Sequence, residues 1–193
     1  MSNIYDPPAS NLDYEPALGS GLRKFYVVGT LKFWLLFIFT FGAYQLYWLY
    51  RNWSRYKAST QENIWPVPRA IFGIFFTHAL FREVDATLVG EDREYSWNPG
   101  LLATGYVISL IAIRIVDRLP DSMDNVAVPL ELFVLYPLVG FLLYRAQRAI
   151  NVACGDPSGA SNARLTWANY AWMSIGFVVI ALAVAFGAYA GSH

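Results

Sequence analysis

The chain of 193 residues carries 14 basic and 14 acidic side chains, so its formal net charge is zero. Apolar residues make up 56% of the sequence and charged residues only 15%, whereas soluble domains carry about 25% charged residues. The neutral balance gives no electrostatic argument for nucleic acid as a partner. The composition instead favours a membrane protein.

Residues 1–22 are predicted to form a disordered or extended tail ahead of a single helical membrane domain over residues 23–191. The tail is acidic and contains Pro7, Pro8 and Pro16. It lacks the basic start and the apolar run of a cleavable signal peptide. We therefore expect the first internal apolar segment to direct membrane insertion.

Four segments are long enough to cross a bilayer, which requires about 20 mostly apolar residues. The predicted spans cover about 31–50, 99–117, 125–145 and 169–190. A soluble helix of this length would present polar side chains on one face at every third or fourth position, and these segments do not. The sequence thus predicts an all-α, polytopic fold with four transmembrane helices.

A fifth apolar stretch, residues 70–81, is too short to cross a bilayer unaided. On a helix over about 68–85, the polar residues His78, Arg82 and Asp85 share one side, and aromatic and aliphatic residues share the other. Two prolines just ahead of the stretch are typical of a helix start. We expect an interfacial or re-entrant helix here, and the alternative is a tilted fifth span.

The stretch FTFGAYQLYWLYRNW, residues 39–53, is rich in aromatic side chains. Four of its residues follow helical spacing and form one stripe: Tyr44, Tyr47, Trp48 and Arg51. Tyr and Trp favour the membrane–water boundary, so the stretch is predicted to be the place where the first helix leaves the membrane. The alternative is an aromatic cage for a cationic headgroup or ligand.

The distribution of basic residues predicts an orientation, because cytoplasmic loops carry an excess of Lys and Arg. With four spans, one side receives Arg51, Arg55, Lys57, Arg69, Arg82, Arg93, Arg145, Arg148 and Arg164. The opposite side receives Arg23, Lys24, Lys32 and Arg118, with Arg114 near its edge. The larger group is expected in the cytoplasm, which places both termini outside, and a fifth span would remove this bias.

Two segments resemble parts of uncharacterised, small, multi-pass proteins of the bacterial inner membrane. One is the Thr-x-Gly-x-Tyr stretch of residues 40–44, which leads into Tyr-Trp-x-Tyr-Arg-Asn-Trp at residues 47–53. The other is Asn-x-Tyr-x-Pro-Pro at residues 3–8. Together they cover about one tenth of the chain. The resemblance implies a location in the bacterial inner (cytoplasmic) membrane, and it brings no known activity, so no catalytic residue is carried over.

Arg114 and Glu131 form a predicted intramembrane polar pair. They lie near the connected ends of the second and third spans, so antiparallel helices would bring both charges to a similar depth. An unpaired charge at the bilayer centre costs about 2.5–3.5 kcal/mol on insertion scales, and pairing would reduce that. The pair is either a structural ion pair or a polar gate that contacts a solute. Pro137 is expected to bend the third span.

No other constellation predicts chemistry. The cluster of His78, Arg82, Glu83 and Asp85 contains a cation four residues after the histidine, which opposes a divalent ion, and a solvated helix face explains it better. Cys154 is the only cysteine. We therefore predict no metal site, no cofactor and no enzymatic activity.

Small residues are expected to let helices pack closely inside the membrane. Ala183, Gly187 and Gly191 recur at intervals of four residues on the last span, and Gly42 lies within the first. Packing within the bundle is the simplest interpretation. A homo-oligomer or a partner membrane protein is the alternative.

Taken together, these features predict an integral membrane interaction or accessory protein that contacts anionic lipid headgroups and a partner protein. The charge would come from Arg51, Arg55, Lys57, Arg69, Arg145 and Arg148, and the aromatic anchors would be Tyr47, Trp48, Trp53 and Trp65. The alternative is a small transporter or lipid-moving protein that uses Arg114 and Glu131.

Overall fold

The computed structural model describes residues 23–190, apart from several side chains near the end of the last helix, and every regular element in this part is helical. The helices are α1 Thr30–Phe39, α2 Tyr44–Thr60, α3 Pro66–Ile71, α4 Gly73–Gly90, α5 Pro99–Val116, α6 Asp124–Leu130, α7 Tyr136–Ala153 and α8 Trp167–Ala190. A π-helical segment, Glu131–Leu135, joins α6 to α7. The predicted all-α class is confirmed, and the predicted tail lies outside the described residues.

Two helical segments of the described part are long and apolar enough to cross a membrane, Pro99–Val116 and Asp121–Ala153. Only 17% and 22% of their apolar windows are buried inside the protein. A core helix of a soluble protein buries its apolar residues, so this exposure favours association with a membrane. The two segments coincide with the second and third predicted spans. The fourth predicted span, about 169–190, remains a prediction.

The first predicted span, about 31–50, is not one helix. Its helix α1 ends at Phe39, and Phe41 and Gly42 then adopt left-handed φ values of 49° and 77° before α2 begins. The chain reverses at this turn, because the Tyr44 ring returns to within 5.7 Å of the Phe33 ring. The prediction of one continuous helix is therefore wrong, and α1 and α2 form a helical hairpin.

The hairpin buries one face of α2 against the extended segment that precedes α1. Trp48 and Trp53 are 0% and 1% exposed, and the Tyr56 ring lies 6.0 Å from the Phe25 ring. The prediction that Trp48 and Trp53 anchor the protein at a lipid surface is wrong. Both indoles are core residues: the Trp48 indole donates a hydrogen bond to Gln147 on α7, and Arg69 of α3 lies over the Trp53 ring.

The structure also differs from the predicted division of the basic residues between two sides. Arg23 forms a salt bridge of 3.2 Å with Asp156, and Lys32 donates a hydrogen bond of 2.7 Å to Asn162. The prediction that Arg23, Lys24 and Lys32 lie on the side opposite to residues 145–164 is therefore wrong. The hairpin returns the chain to the end of the molecule at which α1 begins.

Most of the basic residues consequently share one end of the molecule, which we call the basic end. It contains Arg23, Lys24, Lys32, Arg51, Arg55, Lys57, Arg69, Arg82, Arg93, Arg145, Arg148 and Arg164. Arg114 and Arg118 are the two exceptions among the 14 basic residues of the chain. They lie at the far end of α5, about 20 Å away along the helix axis.

The helix predicted over about 68–85 is present but broken at Phe72 into α3 and α4, and its interfacial position stays a prediction. Trp65, Phe72 and Phe75 are exposed, as expected of a segment that touches an apolar surrounding. The polar side of α4 is not simply solvated. His78 forms a hydrogen bond of 3.0 Å with Thr104, and the Trp97 indole donates one of 2.9 Å to Asp85.

The third predicted span was expected to bend at Pro137, and the structure shows a widened turn just before this proline. The π-helical segment Glu131–Leu135 directly precedes the turn of α7 that contains this proline. Proline has no backbone N–H, and its ring clashes with the carbonyl group four residues earlier, so a widened turn relieves the clash. The segment from Asp121 to Ala153 is thus one long helix with a local bulge.

Candidate functional site

A cavity of about 700 Å³ lies between α1, α2 and the beginning of α8. This volume falls within the roughly 300–1,000 Å³ that is typical of small-molecule sites. Its basic lining residues are Arg23, Lys32, Arg51 and Arg55, and its apolar ones include Leu36, Ala43, Leu46 and Trp172. No acidic side chain lines it among the described residues. We call it the basic cavity.

Two arginines reach the basic cavity from one face of α2. Arg51 and Arg55 are one helical turn apart, and Tyr47 precedes them by one further turn. The Arg51 guanidinium lies 5.3 Å from the Tyr26 ring and 5.9 Å from the Tyr47 ring, which are cation–π distances. Within the described residues, neither arginine forms a salt bridge. Their positive charge therefore lacks a carboxylate counterion here.

The two other cations enter from the N-terminal segment and from α1. Lys32 is only 3% exposed, and its ammonium group donates to Asn162 Oδ1 at 2.7 Å and to the Arg164 carbonyl at 2.9 Å. Both acceptors are neutral, so they satisfy the donors without neutralising the charge. Arg23 differs, because Asp156 pairs with it at 3.2 Å and the Ser161 hydroxyl also contacts it.

Asp156 fixes the loop that closes this side of the cavity. Burial alone raises the pKa of its carboxyl group. Hydrogen bonds from the Ser161 side chain and from the backbone of Ser161 and Ala160, together with the Arg23 charge, outweigh burial and lower the pKa to about 2. The carboxylate is thus ionised at neutral pH and holds Arg23 in place.

Two polar atoms of the cavity wall are buried without a hydrogen-bond partner among the described residues, the Tyr44 hydroxyl and Arg51 Nε. The Tyr26 hydroxyl lies beside that of Tyr44 but out of hydrogen-bond geometry. Buried polar groups are nearly always paired. Both of these atoms are shielded from solvent, so they lie behind the cavity surface and do not face a ligand in the cavity.

A buried set of amides holds the extended segment that forms another wall. Asn52 Oδ1 accepts from the Tyr26 amide at 3.1 Å, and Gln147 Nε2 donates to the Tyr26 carbonyl at 3.1 Å. Asn151 bonds both the amide and the carbonyl of Val28, at 3.2 and 2.9 Å. The sequence interpretation missed these amides. The only available signal was their position at the polar ends of apolar runs.

The structure distributes the predicted contact residues over three environments. Arg51 and Arg55 line the basic cavity, and Lys57, Tyr47 and Trp65 are exposed at the surface. Trp48 and Trp53 are buried, and so they are unavailable for lipid contact.

The three remaining predicted cations make contacts within the protein. The Arg69 guanidinium lies 4.3 Å from the Trp53 ring. Arg145 donates to the Ser96 carbonyl at 3.1 Å, and Arg148 donates to the Tyr144 hydroxyl at 3.3 Å. Because these contacts leave the charges uncompensated, all three still contribute positive potential to the basic end.

Arg114 and Glu131 line a second cavity of about 550 Å³, but they do not form the predicted ion pair. Arg114 instead lies 3.3 Å from Asp117, one turn further along the same part of the chain, and its side chain is exposed. Asp117 follows directly after the same helix, so the Arg114 guanidinium pairs with Asp117 rather than with Glu131. We call this space the second cavity.

Glycine packing is seen at Gly42 and at a position that the sequence did not single out. A Cβ atom on Gly42 would lie 3.0 Å from the Tyr136 ring, and the Tyr136 hydroxyl donates to the Phe41 carbonyl at 2.9 Å. On α8, Gly176 contacts the Phe39 carbonyl directly. The predicted packing positions Ala183, Gly187 and Gly191 lie outside the residues whose side chains the structure describes.

Within residues 23–190, no three His, Cys, Asp or Glu side chains are grouped so that they could hold a metal ion. Comparison with known protein families, with curated proteins and with solved structures finds no match. The site is therefore interpreted from its own geometry: a basic, partly apolar cavity at the basic end of a helical chain with two apolar, exposed helices.

Proposed function

We propose that this chain is an integral, non-enzymatic interaction protein of a bacterial inner membrane, which contacts anionic lipid headgroups and a partner protein through its basic end. The observation that carries the proposal is the clustering of all basic residues except Arg114 and Arg118 at that end. The exposed apolar windows of α5 and of the α6–α7 segment supply the membrane contact.

The charge distribution fits the physics of a bacterial inner leaflet. Basic residues are retained on the cytoplasmic side during insertion, and each contributes about 1 kcal/mol of attraction near an anionic surface. Exposed Tyr47 and Trp65 lie close to these cations in the chain and suit the polar–apolar boundary. The same surface is open to a partner that carries acidic groups.

Lipid enrichment in nanodiscs tests the proposal. The protein is placed in a mixture of phosphatidylglycerol and phosphatidylcholine, and the lipids retained around it are counted by native mass spectrometry. We expect enrichment of phosphatidylglycerol that falls in the double variant Lys57→Gln/Arg82→Gln, because both removed charges are exposed. The variant Lys57→Arg/Arg82→Lys keeps the charge and should match the wild type. Equal retention of the two lipids by the wild-type protein contradicts the proposal.

A second candidate function is transport of a small solute or lipid through the second cavity. The observation that favours it is that Arg114, Asp117 and Glu131 border one cavity at the start of the π-helical segment. Bulges of this kind are frequent at functional sites of membrane helices. A liposome flux assay tests it: flux that vanishes in Glu131→Gln but persists in the exposed control Glu94→Gln would favour transport, and no flux in the wild type would exclude it.

A further inference from the structure

We infer that the basic cavity binds one molecule of an anionic amphiphile, with a phosphate headgroup among its cations and an acyl chain along its apolar wall. The inference rests on the proposed function, which supplies the membrane setting, and it adds a defined site and a ligand class. It differs from general attraction to a charged surface, because it requires one saturable site per chain.

The polar end of the cavity is built for an anion. Arg51, Arg55 and Lys32 line it, and none of the three has a carboxylate partner among the described residues. Guanidinium groups bind phosphate oxygens with two parallel hydrogen bonds, and Lys adds a compact point charge. An anion here would neutralise cations that the protein itself leaves uncompensated.

The other end of the cavity is apolar and opens to the outside. Leu36 forms part of its buried wall, whereas Leu46 and Trp172 are 50% and 63% exposed. These side chains lie toward the turn of the hairpin, away from Arg55 and Arg23. Free phosphate would leave this apolar surface in contact with water, whereas an acyl chain would cover it.

Binding of lysophosphatidic acid in detergent tests the inference, because this lipid joins a phosphate monoester to one acyl chain. Native mass spectrometry should show a single saturable molecule per protein. We expect lysophosphatidylcholine of the same chain length, and inorganic phosphate, to bind at least tenfold more weakly. Equal binding of lysophosphatidylcholine would show that the cations play no part. Equal binding of inorganic phosphate would show that the apolar wall plays none. Either result would overturn the inference.

Two double variants locate the site. Arg51→Gln/Arg55→Gln should weaken lysophosphatidic acid binding at least tenfold, whereas Arg114→Gln/Arg118→Gln removes the same charge at the far end of α5 and should leave it unchanged. Thermal unfolding checks that each variant is folded. Should the first variant fail to fold, Leu46→Gln serves instead, because it alters an exposed part of the apolar wall. Unchanged affinity in the folded cavity variant overturns the assignment.

The outcomes also separate this inference from the proposed function. If Arg51→Gln/Arg55→Gln binds like the wild type while Lys57→Gln/Arg82→Gln loses phosphatidylglycerol enrichment, the cavity assignment is wrong and the proposed function stands. If neither double variant changes the lipid binding that its assay measures, the cavity assignment and the proposed function are both wrong.

Discussion

At the scale of single residues, three buried amide side chains hold an extended segment of backbone in place. Asn52, Gln147 and Asn151 together satisfy the backbone of an extended segment that no neighbouring strand pairs within the described residues. Unpaired backbone groups in such a place are costly, so each amide is expected to be hard to replace.

Asn52→Ala tests this expectation. The change leaves the Tyr26 amide without its acceptor at 3.1 Å in a buried position, so we expect a loss of about 1–3 kcal/mol in the free energy of unfolding. Asn63→Ala is the matched control at an exposed position and should change the stability little. Thermal unfolding in detergent provides the measurement. Equal midpoints for the two variants would show that the amide is dispensable.

Asp156 gives a pH-dependent prediction. The pKa of this carboxyl group is about 2 in the folded protein, below its ordinary value of 3.8, so ionisation favours the folded state. Its contribution, about 2 kcal/mol, is present above pH 4 and is lost as the pH falls toward 2. In Asp156→Asn this part of the acid destabilisation should disappear, whereas Asp124→Asn should retain it. Unfolding curves recorded between pH 5 and pH 2 check the difference, and parallel curves for Asp156→Asn and the wild type would contradict it.

The spacing of the aromatic residues on α2 predicted which of them share a helix face but not which are buried. The stripe of Tyr44, Tyr47, Trp48 and Arg51 is helical, as expected, and Arg51 does lie against aromatic rings. Yet Trp48 is buried, because spacing along a helix shows which residues share a face but not what covers that face. The Trp48 indole donates a hydrogen bond to Gln147 on α7, and a contact with a residue so distant in the chain cannot be recognised from local spacing.

At the scale of elements, the hairpin of α1 and α2 is the main departure from expectation. Hydropathy averages over about twenty residues, and so it cannot detect a reversal that depends on two backbone angles. Phe41 and Gly42 have φ values of 49° and 77°. The sequence signal was a single glycine between two aromatic runs, which was interpreted as a packing position or a loosening of the helix, but not as a turn.

Gly42→Ala tests the turn. A side chain at φ 77° is strained, and its Cβ would lie 3.0 Å from the Tyr136 ring, so we expect destabilisation of about 1–2 kcal/mol. Gly90→Ala is the opposite case, because that glycine ends α4 and a Cβ there would meet nothing within 4 Å. It should be neutral or stabilising. Thermal midpoints that fall equally for both variants would count against the hairpin.

Other elements followed the sequence closely. Apolar length predicted spans over about 99–117 and 125–145, and these overlap the helical segments Pro99–Val116 and Asp121–Ala153. Proline chemistry predicted a bend at Pro137, and the structure has a π-helical bulge just before it. The length of an apolar segment depends only on consecutive residues, so it can be predicted directly from the sequence. The Arg114–Glu131 pair was not formed, because side-chain pairing depends on local competitors such as Asp117.

At the scale of the whole molecule, the hairpin changes the distribution of charge. A first helix that crosses the membrane would divide the basic residues into two groups, whereas a hairpin that returns gathers them at one end. The asymmetry becomes far stronger than the sequence alone predicted, with only Arg114 and Arg118 apart from the rest. A strong asymmetry of this kind is what the positive-inside bias requires of a well-oriented membrane protein.

Labelling of single cysteines in oriented membrane vesicles tests the central claim most directly, namely that the hairpin brings its two ends, near residues 24 and 57, to the same side of a membrane. In a Cys154→Ser background, Lys24→Cys, Lys57→Cys and Arg118→Cys are each exposed to a maleimide that cannot cross the bilayer. The account predicts that positions 24 and 57 react from the same face and position 118 from the opposite face. Reaction of position 24 together with position 118, or of all three from both faces, would contradict it.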